Sequence, residues 1–177
     1  MYRVVASDGA DPARLFVAVW PSRSVQAALA AAADVWAWPA AARRTRPERL
    51  HLTLHFIGDV PMARLDELRA HLRLPFEPFD IELGRPDVWR GGIAVLEANA
   101  IPAPLHELHA RLAQALRTLG LPVEERAWRP HVTLARKAFG LRPPAEVPPV
   151  RWRADEGYRL VQSLPGGRGY EPLAGFD

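Results

Sequence analysis

The sequence predicts an α+β fold of two lobes related by a pseudo-twofold axis, with mainly antiparallel sheet, helices packed on the outer faces and a central cleft. Three observations lead there. Strand-type and helix-type patterns follow one another in the order β α β α β β α β β β. The strongest helix is amphipathic and needs a sheet to cover its apolar stripe. And Arg49-Leu50-His51-Leu52-Thr53-Leu54 returns as Arg129-Pro130-His131-Val132-Thr133-Leu134, offset by 131 − 51 = 80 residues, so that two related halves would bring the copies face to face.

Taken in chain order, residues 1–13 form a polar tail with Gly and Asp, expected to be mobile, and residues 14–177 a single bilobal domain. Leu15-Phe16-Val17-Ala18-Val19-Trp20 is a short apolar run of strand type. Ser22 or Ser24 caps the Ala-rich helix over residues 25–36, which ends near Trp38-Pro39. Residues 50–57 alternate polar with apolar, a strand with two unlike faces stopped by Gly58-Asp59 and Pro61. Leu65, Leu68 and Leu72 mark a helix, and strands follow at residues 79–83 and 93–97. From Pro104 onward, Leu105, Leu108, Leu112, Ala115, Leu116 and Leu119 make one stripe, ended by Gly120. Residues 131–135 alternate again, residues 143–149 are a Pro-rich loop, and the last strands lie at residues 158–163 and 170–173, about the turn Pro165-Gly166-Gly167.

The composition narrows the chemistry. At 177 residues, with 49% hydrophobic and 24% charged, the chain can bury a core and is ordinary for a globular protein. It has no cysteine, which excludes disulfides, thiolate zinc sites and a cysteine nucleophile. No segment resembles a signal peptide or a membrane span, so a cytoplasmic location is expected, without a membrane partner. The net charge of +3, carried almost wholly by arginine, supports an anionic partner only weakly.

Position says more than total charge. Residues i and i+2 of a strand share a face, so each His-x-Thr projects an imidazole beside a hydroxyl while the residue between points to the core. The hydroxyl can donate to a non-bridging phosphate oxygen, and the imidazole can give or take a proton. In-line displacement at phosphorus needs a base on the entering oxygen and an acid on the leaving one, and two histidines supply both near neutral pH. A cyclic phosphodiester keeps its leaving oxygen tethered to the ribose, and water attacks it without need of a metal or other cofactor.

With these motifs the sequence resembles the two-histidine (2H) phosphoesterase superfamily, in its bacterial and archaeal RNA 2′,3′-cyclic phosphodiesterase branch, formerly called 2′-5′ RNA ligases. The resemblance runs over roughly residues 14 to 174. It rests on the strand from Arg14 to Val19, the blocks around His51-Leu52-Thr53-Leu54 and His131-Val132-Thr133-Leu134, and the tail segments Leu160-Val161-Gln162-Ser163 and Gly169-Tyr170-Glu171-Pro172-Leu173. It implies His51 as proton donor to the 3′-oxygen, His131 as proton acceptor from water, a 2′-phosphomonoester as product, and a monomer acting on RNA ends. Thr53 and Thr133 would bind phosphate. Arg136, three residues after Thr133 and on the face opposite His131 if the strand is regular, is a further candidate contact.

The remaining candidates read more plainly. His55 shares a strand face with His51 on regular spacing, but lies about 13 Å along at ~3.3 Å per residue, too far to ligate one ion with it, so a solvent or substrate-rim place suits it better. His71, His106 and His109 read as surface residues, and Phe56 and Trp128 as core residues that could instead stack a terminal base. Arg43, Arg44, Arg46 and Arg49 suit an RNA-tracking rim or solvated loops equally. Other readings of the whole are a 2′-5′ RNA ligase side activity, a small cyclic nucleotide as substrate, and, from another class, an RNA-binding module without catalysis.

Overall fold

The computed structural model describes residues 12–177; of the tail expected to be mobile, residues 1–11 lie outside that range. Ala13, assigned to the tail by sequence, opens the first strand and is buried. The elements are β1 (Ala13–Val19), α1 (Arg23–Asp34), β2 (Arg43–Arg44), β3 (Leu52–Val60), α2 (Leu65–His71), β4 (Phe79–Trp89), β5 (Ile93–Ala98), α3 (Ala103–Thr118), β6 (His131–Arg136), β7 (Val150–Ala154), β8 (Tyr158–Leu164) and β9 (Gly169–Phe176). Ser22 caps α1, its hydroxyl accepting from the amide of Val25 at 3.4 Å.

The strands join one antiparallel sheet in the order β7-β4-β5-β6-β3-β1-β8-β9, with β2 paired to β6. The two halves therefore meet inside a continuous sheet, at the pairing Leu52↔Val132 between β3 and β6. Each half contains a strand-helix-strand unit, β1-α1-β3 and β5-α3-β6, that returns along its motif strand. The helices cross over: α1 lies against β6 and β7, and α3 against β3. One cluster of buried side chains takes residues from all three helices and from both halves of the sheet. On the other face of β1, Phe16 and Ala18 pack with Val161 of β8, and Trp20 and Tyr170 close over them. Burial on both faces is why residues 15–19 do not alternate.

Several strands depart from their expected bounds. β4 runs past Leu83 through Gly84 and Pro86, because Gly84 takes up a register shift between Leu83 and Arg85. Beyond that point β4 pairs with β5 alone, since β7 covers only Phe79 to Leu83, so the missing amide of Pro86 interrupts no ladder on the open side. β7 escaped sequence reading although Val150, Trp152 and Ala154 alternate with the exposed Arg151 and Arg153. β3 continues through Gly58, whose φ of +86° accommodates the chain beside a further shift near Ile57.

Candidate active site

The two motif strands carry the same irregularity at the same place. In β3, Ala18 pairs with Thr53 but Val17 with His55, leaving Leu54 as the extra residue of a bulge. In β6, Val95 pairs with Thr133 but Ala94 with Ala135, leaving Leu134 extra. A bulge offsets the alternation of faces by one residue. So the cleft face carries His51, Thr53 and Phe56 from one strand and His131, Thr133 and Arg136 from the other, while Leu52, Leu54, His55 and Val132, Leu134, Ala135 are buried. Continued by one residue each way, the antiparallel pairing Leu52↔Val132 sets His51 beside Thr133 and Thr53 beside His131. All four line one open cleft of about 820 Å³, as do Phe56 and Arg136.

Each catalytic candidate is fixed by its own backbone. Nδ1 of His51 lies 2.7 Å from the carbonyl of Arg49, and Nδ1 of His131 lies 2.7 Å from the carbonyl of Arg129. A carbonyl only accepts, so Nδ1 carries the hydrogen in both rings and Nε2 is left to exchange protons. Near the first ring, Arg49 also donates to the carbonyls of Gly167 and Arg168 in the β8–β9 turn, so it braces the fold from the cleft wall.

The surroundings of the two rings differ. His51 is stacked on Trp20 (centroids 4.7 Å apart, 17° between planes) and on Phe16 (5.1 Å), with Tyr170 edge-on at 5.1 Å. Desolvation by this aromatic box pushes its pKa down to about 4, against the carbonyl bond that raises it, with the charges of His131 and Arg136 lowering it further. His131 rests on Trp89 at 4.2 Å. Its pKa is also lowered by burial, but the carbonyl of Arg129 and the carboxylate of Glu97, its partner across β5–β6, oppose the shift. Glu97 is 3% exposed and fully engaged: it accepts from Trp89 Nε1 at 2.8 Å and from Arg129, which also reaches Asp87 at 2.9 Å. Sequence reasoning missed Glu97, whose only signal was a carboxylate in an otherwise apolar strand.

Several expectations are corrected, the first being the face of Arg136, which the bulge at Leu134 turns into the cleft with His131. His55 does not share the face of His51: the bulge turns it to the helix side, buried, where Nε2 donates to the carbonyl of His109 on α3 at 2.8 Å. His109 is no surface residue, being stacked between His55 and Trp128. Phe56 is no core residue but 60% exposed, and Trp128 is half-buried on the cleft wall. His71 and His106 are exposed, as expected. Of the arginine cluster, Arg44 pairs with Asp34 and lies over Trp38, while Arg43 and Arg46 are exposed. Among the described residues no group of three or more His, Asp or Glu side chains is placed to hold a metal ion, and no helix is long and apolar enough to cross a membrane.

Residues 21–156 match the family model of the 2′-5′ RNA ligase superfamily. The chain belongs to that superfamily. Within the 2′-5′ RNA ligase superfamily it is similar to an RNA 2′,3′-cyclic phosphodiesterase of Thermus thermophilus, 32% identical over 92% of this chain and 89% of the relative. It is also similar to one from Aeropyrum pernix, 32% identical over 66% of this chain and 74% of the relative. Among solved structures, E. coli LigT complexed with 3′-AMP superposes with a TM-score of 0.79 at 26% identity, covering 93% of this chain and 97% of that one. This superfamily fold agrees with the α+β class and the pseudo-twofold halves expected from sequence, the halves sharing one curled sheet.

Proposed function

We propose that the protein hydrolyses 2′,3′-cyclic phosphates at RNA ends to 2′-phosphomonoesters. The observation that carries this reading is the pair of imidazoles in one cleft, each with Nδ1 committed to a carbonyl and each beside the other strand's threonine. The relatives named RNA 2′,3′-cyclic phosphodiesterase support the substrate class. In the reaction, His131 Nε2 takes a proton from water as its oxygen bonds to phosphorus. The bond from phosphorus to the 3′-oxygen breaks, and His51 Nε2 gives that oxygen its proton. Thr53 and Thr133 donate to the non-bridging oxygens, and Arg136 offsets their charge. The residues need no metal for any of these transfers. A monomer is the proposed state and the cytoplasm the proposed compartment.

The test is incubation of EDTA-treated protein with an oligonucleotide ending in a 2′,3′-cyclic phosphate. We expect a 2′-phosphate end, and His51→Ala and His131→Ala each slower by about 10²- to 10⁴-fold. Intact substrate with the wild type, or full turnover by either variant, overturns the reading.

A second reading keeps the pair and exchanges the two duties. Glu97 favours it, because a carboxylate stands behind His131 while aromatic rings enclose His51, which makes His131 the easier ring to protonate. A substrate with sulfur in place of the 3′-oxygen decides between them. A leaving thiolate needs no proton, so the alanine variant of the donor is rescued and that of the acceptor is not.

A further inference from the structure

Beyond Arg136 the cleft opens onto a corner of cations that lack carboxylate partners. The pairing Arg43↔Arg136 between β2 and β6 sets two arginines side by side, and because cross-strand partners share a face, Arg43 takes the cleft face that Arg136 lines. Like charges directly opposite cost stability unless an anion lies between them. Arg44, on the other face, has Asp34 of α1, and Arg126 and Arg129 on the cleft wall have Glu124, Asp87 and Glu97. Among the described residues no carboxylate lies within ion-pair distance of Arg43, Arg90, Arg136 or Lys137. Lys137 follows β6 with a φ of +58°, the one non-glycine residue of positive φ among those described. The chain after it is tied to the β4–β5 turn that carries Arg90: the amide of Ala138 donates to the carbonyl of Gly92 at 2.9 Å. That tie holds the left-handed turn at Lys137 and lays Phe139 on Gly92, where a Cβ would come within 3.0 Å of its Cδ1. Phe139 is still 65% exposed.

Solvated arginines and an exposed aromatic ring are ordinary one at a time. Unpaired cations gathered round an anchored ring, at the mouth of a phosphate-binding cleft, match the alternation of phosphate and base along a single strand of nucleic acid. The corner begins about 10 Å from Thr133, at ~3.3 Å per residue, so a lone nucleotide with its cyclic phosphate at the threonines leaves most of it uncovered. We propose that this corner binds the RNA strand on the 5′ side of the terminal nucleotide, Arg43, Arg90 and Lys137 pairing with its phosphodiesters and Phe139 stacking one upstream base. The strand then leaves the cleft past the end of β6. Neither kind of contact reads base identity, so the surface accepts any sequence. The inference rests on the phosphodiesterase reading and adds a length requirement to it: a strand of several nucleotides is a better substrate than a mononucleotide.

The experiment compares kcat/KM for a single-stranded RNA oligonucleotide ending in a 2′,3′-cyclic phosphate with that for adenosine 2′,3′-cyclic phosphate, over a range of salt concentrations. The wild type is expected to favour the oligonucleotide by roughly tenfold to a hundredfold and to lose that preference as salt rises, with a logarithmic slope of about −0.7 for each phosphate neutralised. In the triple variant Arg43→Ala, Arg90→Ala, Lys137→Ala the preference falls toward one and the slope flattens by about 2. Phe139→Ala loses part of the preference but keeps the slope, and Phe139→Trp retains both. These side chains are exposed, so the variants keep the fold. Arg151→Ala with Arg153→Ala, on β7 at the other end of β4, is expected to change neither quantity. A wild-type preference near one, a triple variant that keeps preference and slope, or an equal loss in the β7 variant overturns the RNA-binding corner while leaving the phosphodiesterase reading in place. Hydrolysis of neither substrate by the wild type overturns both.

Discussion

Glu97 sits among apolar neighbours in β5, and its partners show why a carboxylate belongs there. It accepts from Trp89, on which His131 rests, and from Arg129, whose carbonyl fixes Nδ1 of His131. It therefore positions the ring through two neighbours and favours its protonated form through charge. In Glu97→Gln the hydrogen bonds to Trp89 can persist while the charge is lost, so His131 becomes harder to protonate. The limb of the pH profile of kcat/KM that reports His131 is expected to move to lower pH, with the plateau lowered less than in His131→Ala. An unmoved limb would leave Glu97 a packing residue only. The threonines allow a separate test at the same scale. Thr53→Val and Thr133→Val keep shape and remove a donor to an anionic phosphate, an interaction of about 1.5–3 kcal/mol, so each should lose roughly tenfold to a hundredfold in kcat/KM. Phosphate inhibition should weaken in parallel, and an unchanged inhibition constant would remove the hydroxyl from the anion site.

At the scale of elements, the two bulges decide what the sequence could and could not reveal. Period-two alternation correctly put His51 with Thr53 and His131 with Thr133, because each pair precedes its bulge. Past the bulge, the same rule fails in both strands. His55 is read onto the cleft and Arg136 off it, and the structure reverses both. Nothing in Leu54 or Leu134 marks a bulge, since a buried leucine fits a regular strand equally well; the extra residue shows only in the register against β1 and β5. β4 was cut short for the opposite reason: Gly84 and Pro86 are breakers in isolation, and only the absence of a second neighbour beyond Leu83 makes them tolerable. Gly157, by contrast, is constrained by its own contacts. It has a φ of +75°, and a Cβ there would lie 2.0 Å from the carbonyl oxygen of Phe176 in β9. Gly157→Ala should destabilise the protein by more than ~1 kcal/mol and open the end of the β8–β9 ladder. Amide exchange confined to that hairpin, with a lowered denaturation midpoint, is the expected signature, and a wild-type midpoint would contradict it.

The whole molecule buries more histidine than its charge needs. His51, His55, His109 and His131 all have pKa values lowered by folding, with desolvation as the largest cause in each. Above the ordinary histidine value near 6.5 these rings are neutral in the substrate-free folded protein as in the unfolded chain, and they add no pH dependence to stability. Below it the unfolded chain takes up protons that the folded one refuses, so stability falls as pH drops from about 6.5 toward the lowered values, near 4 for His51 and 3 for His109. The window from pH 6.5 to 5 separates this effect from the titration of ordinary carboxylates, which begins lower. Urea midpoints measured across that window should decline with acid. The double substitution His55→Phe and His109→Phe should flatten the decline, because it keeps stackable rings on β3 and α3 and removes two titrating groups. A midpoint already flat in the wild type would mean that these rings accept protons in the folded state. The stack would then carry charge beneath Trp128, and its hold on the cleft wall would loosen in acid before the fold itself gave way.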